Sequence, residues 1–260
     1  MRLKDKIALV TGAGAGIGRA IAREFAKEGA RLVICDIRED KLAEAAAELR
    51  GLGGAVEALR ADVGLAADVE ALFHGARDRM GGLDILVNNA AVIHQASIVD
   101  TREEDWDRII RNNLKSVFLC CREGARLMIE QRRGGRIINL SSIHAVLSEP
   151  QAGAYTAAKG GVEAFSRTLA TELAPHHITV NCIEPGATYT ELTTPMYTPA
   201  VKEALFKRIP MKEIAQPEWI ARGAVFLASE DSRYMTGSVI TLDGGYIMDG
   251  SLPGAAYWEK

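Results

Sequence analysis

Ile7-Ala8-Leu9-Val10 followed by Thr11-Gly12-Ala13-Gly14-Ala15-Gly16-Ile17-Gly18 decides the fold. The first four residues form an unbroken apolar run, the pattern of a strand buried on both faces of a parallel sheet. The glycines break that run, and residues 19–28 resume with helical spacing, Ile21, Ala22 and Phe25 sharing one face before Gly29 stops it. Outward from this unit the alternation repeats. Apolar runs at 31–35, 55–59, 83–87, 136–140, 178–183 and 238–242 read as strands, and residues 38–52, 67–79, 101–131 and 154–173 read as helices. This regularity predicts an α/β protein: a doubly wound, seven-stranded parallel sheet flanked by helices, with right-handed crossovers.

The chain has 260 residues, 48% apolar and 25% charged, with net charge −3. One domain spanning 1–260 is expected, since no linker or repeat divides it. Basic residues form no stripe, which argues against nucleic acid as a partner. No apolar run approaches the roughly 20 residues of a membrane span, and the first residues lack a signal-peptide stretch, so a cytoplasmic protein is expected. Cys35, Cys120, Cys121 and Cys182 show no metal-ligand spacing and read as buried, reduced thiols. The irregular part is a proline-rich flap at about 187–217, and a tail at 246–260 ends in Tyr257-Trp258-Glu259-Lys260.

In open α/β sheets ligands bind beyond the carboxyl ends of the strands. The turn after the first strand therefore becomes a phosphate cradle: glycine lets backbone approach a pyrophosphate, and the next helix offers its N-terminal N–H groups. Its spacing is Thr-Gly-x-x-x-Gly-x-Gly, which assigns Thr11, Gly12, Gly14, Ala15, Gly16, Ile17 and Gly18 to the cofactor. Asp36, with Ile37 beside it, closes the second strand, where a carboxylate accepts from an adenosine ribose 2′-OH and repels a 2′-phosphate. Asp36 could instead cap the helix that follows. Ala15 supplies no positive charge for a 2′-phosphate, although Arg38 leaves NADP open. Asp62 and Val63 are placed to meet adenine. NAD is the expected cofactor.

Tyr155 and Lys159 stand at i and i+4, on one helical face. Free tyrosine has pKa ~10, and a nearby ammonium favours the phenolate that would accept an alcohol proton as hydride leaves the same carbon. Any helix can carry Tyr-x-x-x-Lys. Taken with Asn88-Asn89-Ala90-Ala91, Asn113, Ser141-Ser142, Pro185-Gly186, Thr190 and the Thr11–Gly18 turn, however, it resembles the short-chain dehydrogenase/reductase family along essentially the whole chain. The resemblance implies a Rossmann fold in which Ser142, at the family's distance ahead of Tyr155, polarises the substrate oxygen. It further implies that Asn113 holds a relay water and that Lys159 binds the nicotinamide ribose and lowers the phenol pKa. Asn89, Ala90 and Ala91 would line the cofactor; Pro185, Gly186, Thr188 and Thr190 would meet its carboxamide end. The family usually has glycine where Ala91 stands, a departure costing about 1 kcal/mol if that backbone takes φ > 0.

Within the family, Ser141-Ser142-Ile143-His144, Glu184-Pro185-Gly186-Ala187-Thr188 and Ile209-Pro210-Met211 with Gln216-Pro217-Glu218 are similar to bacterial glucose 1-dehydrogenases and related sugar dehydrogenases. The expected function is NAD-dependent oxidation of a carbinol on a polar substrate, first of all an aldose going to its lactone. His94, Ser142, His144, Glu149, Gln151 and Tyr155 would line the substrate pocket. The alternative is a 3-oxoacyl or other ketone/polyol reductase, a group that usually runs on NADPH. A cofactor-binding regulator without catalysis is a third reading, disfavoured by the intact Asn113, Ser142, Tyr155 and Lys159. The resemblance implies a homotetramer, and the helical stretches at 101–131 and 154–173 carry apolar residues on more than one face (Val117, Phe118, Leu119; Val162, Phe165, Leu169).

Overall fold

The computed structural model describes residues 1–250; the end of the tail, with Tyr257 and Trp258, lies outside the described residues. Seven strands, β1 (Ile7–Thr11), β2 (Arg31–Asp36), β3 (Val56–Arg60), β4 (Ile85–Asn88), β5 (Gly135–Leu140), β6 (Ile178–Pro185) and β7 (Val239–Leu242), form one parallel sheet in the order β3-β2-β1-β4-β5-β6-β7. Side chains alternate across it. Ala8 and Val10 of β1 join one core with α1 (Gly16–Lys27), α2 (Glu39–Gly51) and α8 (Pro217–Ala228). Ile7 and Leu9 join the other with α3 (Ala66–Met80), α5 (Ser116–Gln131) and α6 (Gly153–Leu173). Burial on both faces is why inner strands such as β1, β2 and β4 read as near-continuous apolar runs rather than as alternating patterns.

Chain order reverses at β1: β2 and β3 lie to one side, β4 to β7 to the other. The crevice beyond the ends of β1 and β4 is the switch point at which such sheets bind ligands. Three side chains brace its floor. Asn88 Nδ2 donates to Asn139 Oδ1 (2.8 Å), Asn139 Nδ2 to Ser166 Oγ (2.8 Å), and Ser166 Oγ to the Val162 carbonyl (2.7 Å), which locks α6 to β5 and β4 through the core.

The structure departs from the sequence reading in three places. The helical stretch at 101–131 is α4 (Glu103–Ile110), a π-helical turn (Arg111–Lys115) and α5 in succession. The flap at 187–217 holds a helix, α7 (Pro199–Arg208), that buries none of its residues, and its base is closed by a parallel bridge between Thr188 and Ala215. Finally, α8 went unread as a helix. It packs along α1 and buries Ile220, Ala221, Ala224, Val225, Leu227 and Ala228. Its first residue is Pro217, which suits a helix start because the missing N–H is unpaired there anyway; in the sequence that proline looked like the end of an irregular stretch.

Ala91 is absent from the residues with positive φ, so the alanine carries no left-handed strain. All four cysteines are free and buried, and burial pushes the Cys35 and Cys121 thiols up to about 12 and Cys182 to about 11. Among the described residues no helix is long and apolar enough to cross a membrane. Of the apolar residues on α5 and α6, Val117, Leu119, Val162 and Leu169 belong to the sheet-facing core, whereas Phe118 is exposed and stacks edge-on against Phe165 at 6.3 Å.

Phe25 is fully buried, on the α1 face that packs in the core shared with α8. Truncating such a side chain removes its transfer energy and leaves a cavity. Phe25→Ala should cost about 3–5 kcal/mol in denaturant unfolding with the m-value unchanged.

Candidate active site

A hydroxyl and an amide hold the glycine turn in place. Thr11 Oγ1 accepts from the N–H groups of Asn89 (3.0 Å) and Ala90 (3.1 Å), joining the end of β1 to the loop after β4. The Asn89 amide donates back to the carbonyls of Thr11 (3.0 Å) and Gly12 (3.1 Å). A side chain cannot be added here. A Cβ on Gly18 would lie 2.2 Å from the Gly12 carbonyl oxygen, and Gly12 has φ +63° with Ala90 backbone 2.9 Å from where its Cβ would be. α1 then begins at Gly16 with Ala15 as N-cap and no side chain capping its N–H groups. An uncapped helix N-terminus behind a side-chain-free turn fits a pyrophosphate.

On the adenosine side, Asp36 is buried and its two oxygens are divided. Oδ2 accepts from Gly14 N–H (3.0 Å) and Oδ1 from Arg38 N–H (3.0 Å), so the carboxylate joins the turn to β2 and keeps lone pairs for a ribose. It does not cap α2, whose N-cap is Arg38. The Arg38 guanidinium lies between two carboxylates, Asp36 (3.5 Å) and Glu191 of the flap (3.6 Å). Asp62 accepts from Gly64 N–H (2.9 Å) in a tight turn and lies 3.8 Å from Arg111, with Val63 buried beside it and Ile37 exposed. Thr188 donates to the Gly186 carbonyl (3.0 Å), and its N–H donates to Tyr197 Oη (3.1 Å). Thr190 pairs with Thr193 (2.9 Å), and its side chain lies 3.3 Å from where a Gly16 Cβ would be, which brings the flap against the cradle.

The residues expected to carry catalysis converge where β5 meets α6. Ser142 Oγ accepts from His144 N–H (3.2 Å), which fixes the serine as the cap of a short turn on the Tyr155 side of the cleft. Burial pushes the Tyr155 phenol up, with the nearby Ser142 hydroxyl acting against it. The Lys159 ammonium lies 5.6 Å from the Tyr155 ring centroid and donates to the Leu140 carbonyl (2.6 Å). Burial brings its pKa down to about 8. Asn113 sits in the π turn and spends both amide atoms on Val92, accepting from its N–H and donating to its carbonyl (both 2.8 Å). A π turn shifts the helix ladder by one residue, a device that often marks a functional site.

Of the four polar residues expected around the substrate, His144 and Glu149 face each other at 3.8 Å, and His144 Nδ1 is buried without a partner. Gln151 is exposed, in left-handed backbone (φ +69°), with its carbonyl accepting from Ala96 N–H (2.9 Å). His94 is engaged by Asp105 of α4 at 3.5 Å. Sequence reasoning missed the Leu140 carbonyl and a buried group around Lys159. Ser141 Oγ donates to Glu163 Oε1 (2.6 Å), and Glu184 is a buried neighbour that, after burial, helps push the Glu163 carboxyl up. The available signal was Glu163 standing at i+4 from Lys159, on the face that carries the lysine.

Comparisons agree with this geometry. Residues 12–247 match the family model described as enoyl-(acyl carrier protein) reductase. The 3-oxoacyl-[acyl-carrier-protein] reductase FabG of Thermotoga maritima is 38% identical over 248 residues, 95% of this chain and 100% of that protein. The 3beta-hydroxysteroid dehydrogenase 1 of Eggerthella lenta is 39% identical over 247 residues, 94% of each chain. A short-chain type dehydrogenase/reductase from Mycobacterium marinum superposes with TM-score 0.90 at 36% identity, covering 95% of this chain and 97% of that one. A match of this extent, on a parallel sheet of this order and with this cradle, makes the chain a member of the short-chain dehydrogenase/reductase family, an oxidoreductase working on CH–OH and keto groups with a nicotinamide cofactor.

Proposed function

We propose that the protein is an NAD-dependent oxidoreductase that interconverts a secondary alcohol and its ketone on a substrate with a large apolar part, of 3-oxoacyl or oxosteroid type. The observation that carries this reading is Lys159 set 5.6 Å from the Tyr155 ring centroid, with Ser142 at the neighbouring end of β5, beside a glycine cradle. In the reductive direction Ser142 Oγ–H donates to the substrate carbonyl oxygen and Tyr155 Oη–H gives its proton to that oxygen as hydride arrives at the carbon. In the oxidative direction Tyr155 takes the proton back. A bound nicotinamide would supply or accept the hydride and, when oxidised, would add positive charge near the phenol. Lys159, held by Leu140, would bind the nicotinamide ribose, and Asn113 would hold a relay water. Thr11 to Gly18 would hold the pyrophosphate, with Asn89, Ala90, Ala91, Pro185, Gly186, Thr188 and Thr190 toward the nicotinamide.

Two observations separate this reading from the sugar dehydrogenase expected first. The segments leaving β5 and β6 expose Val146, Leu192, Met196 and Met211, an apolar set that suits an acyl chain or ring system better than hydroxyls. The relatives named above also correspond to the ketone-reductase alternative. The sugar reading keeps one observation, the unpartnered His144 Nδ1 beside Glu149. A homotetramer belongs to the same proposal and rests on the exposed Phe118, edge-on to the half-buried Phe165; a mass near 28.0 kDa in light scattering would refute it.

NAD over NADP rests on Asp36, since a 2′-phosphate would meet its carboxylate while Arg38 is already paired with Asp36 and Glu191. Asp36→Ala removes a ribose acceptor and the repulsion together. The ratio of kcat/KM values for the two cofactors should narrow by ~10-fold or more, about 1.4 kcal/mol. An unchanged ratio would place discrimination elsewhere.

Turnover followed by NADH absorbance should favour a 3-oxoacyl thioester or a 3-oxosteroid over any aldose, and an aldose preference would restore the sugar reading. On the preferred compound Tyr155→Phe should lower kcat by at least ~10²-fold with little change in NADH affinity, because the ring stays and the proton donor goes. Retention of more than a tenth of the activity would remove Tyr155 from its role.

A further inference from the structure

Glu163 and Glu184 are both buried, and no step above uses them. The register of β5 on β6, with Leu140 opposite Ile183 and Ser141 N–H donating to the Ile183 carbonyl, sets Ser141 beside Glu184, and Ser141 holds Glu163, so the two carboxyls are neighbours. Each has one further partner: Ser141 Oγ donates to Glu163 Oε1 at 2.6 Å, and Thr241 Oγ1 donates to Glu184 Oε2 at 2.7 Å. Two carboxylates cannot face each other in a water-poor site, so the contact requires one proton held between them. The other charged or titratable groups acting with Glu163 are Arg167 on its own helix and Cys182 on β6, and Lys159 stands one turn before it on that helix. Burial and the neighbouring Glu184 push the Glu163 carboxyl up to about 7, with Ser141 and Arg167 acting against them.

The location gives the pair its meaning. Ser141 immediately precedes Ser142 and also reaches the Lys159 carbonyl at 3.3 Å. Glu163 is one turn beyond Lys159 on α6, and Glu184 immediately precedes Pro185-Gly186 at the end of β6. Thr241 belongs to β7. We infer that Glu163 and Glu184 form a proton-sharing carboxyl pair that positions the catalytic face, clamping α6 to the ends of β5 and β6 and so setting Lys159 against Ser142 and the nicotinamide side of the cleft. The pair works only while it holds its proton. Once that is lost, two adjacent carboxylates repel and push α6 away from β6. Glu163 and Glu184 are positioning residues, and the inference rests on the reading of Lys159 and Ser142 given above.

The sign of the pH effect follows from the raised carboxyl. Between the ordinary carboxylate range and about 7 the folded chain holds a proton that the unfolded chain has released. The stabilisation is complete at acid pH and lost as pH rises through that window. His144, held low by burial, acts in the opposite sense near the same window, so the variant is compared with the parent at each pH, where that contribution cancels. Glu163→Gln keeps a hydrogen-bonding amide toward Glu184 and removes the titration.

The thermal midpoint and kcat of Glu163→Gln and of the parent protein should be measured from about pH 5 to pH 8, with NADH and the preferred ketone. The variant's midpoint should rise relative to the parent as pH increases, and its kcat relative to the parent should climb several-fold over the same range. Glu184→Gln, which replaces the shared proton from the other side, should do the same and serves if the first variant does not fold. pH-independent differences in both measurements would overturn the pair. A pH-dependent midpoint with a flat kcat ratio would leave the shared proton and overturn its positioning role. A chain inactive on every ketone tested would overturn the functional reading and the positioning role, while the midpoint comparison would still decide whether the pair shares a proton.

Discussion

The hydroxyl of Thr11 is the point on which the site depends. It accepts from two consecutive backbone N–H groups, those of Asn89 and Ala90, and it sits where the sheet reverses its winding. The two strand ends at that reversal, β1 and β4, diverge into different loops, and their terminal backbone groups would otherwise be left without partners. A buried N–H without an acceptor costs about 1–3 kcal/mol, so satisfying two with one oxygen, and two carbonyls with the Asn89 amide, makes this crevice rigid. The glycine turn hangs from this clamp. With Gly18 packed against the Gly12 carbonyl there is no room for another arrangement, and the N–H groups of α1 are left facing the crevice.

From that fixed edge the remaining parts line up along the carboxyl ends of the strands. Asp36 ends β2 and returns a bond to Gly14; Leu140 ends β5 and holds Lys159; Pro185 ends β6. Each of these three groups is therefore the last residue of its strand, the place with the least positional freedom that still faces a ligand. The same closeness makes the electrostatics demanding. Lys159 and Tyr155 are both desolvated, and each is pushed toward its neutral form. A neutral phenol beside an ammonium whose pKa is lowered to about 8 is sensitive to modest changes in local charge.

Much of the architecture was legible in the residues. Strands buried on both faces betray themselves as apolar runs, and the glycine spacing after the first of them marks the cradle because only glycine fits where backbone packs on backbone. The helix α8 was not legible. Its buried face is nearly continuous, so its helical period is weak, and Pro217 at its start resembles a loop residue. The π turn at Arg111–Lys115 was equally hidden, since a one-residue shift in the hydrogen-bond ladder leaves no mark on the apolar pattern.

The candidate site divides in the same way. Residue types and spacing alone determined the parts whose chemistry is local: the turn Thr11 to Gly18, the Tyr155–Lys159 pair on one helical face, and a carboxylate at the end of β2. Tertiary structure decided everything that depends on which chain ends meet. Arg38 is taken up by Glu191, a residue far along the chain, and His94 by Asp105, whereas His144 keeps a nitrogen without a partner. Glu163 and Glu184, ordinary as separate letters, become a single acid only because α6 lies across the end of β6 and excludes water from both. Charge state follows from solvent and neighbours, and neither is written in the order of residues.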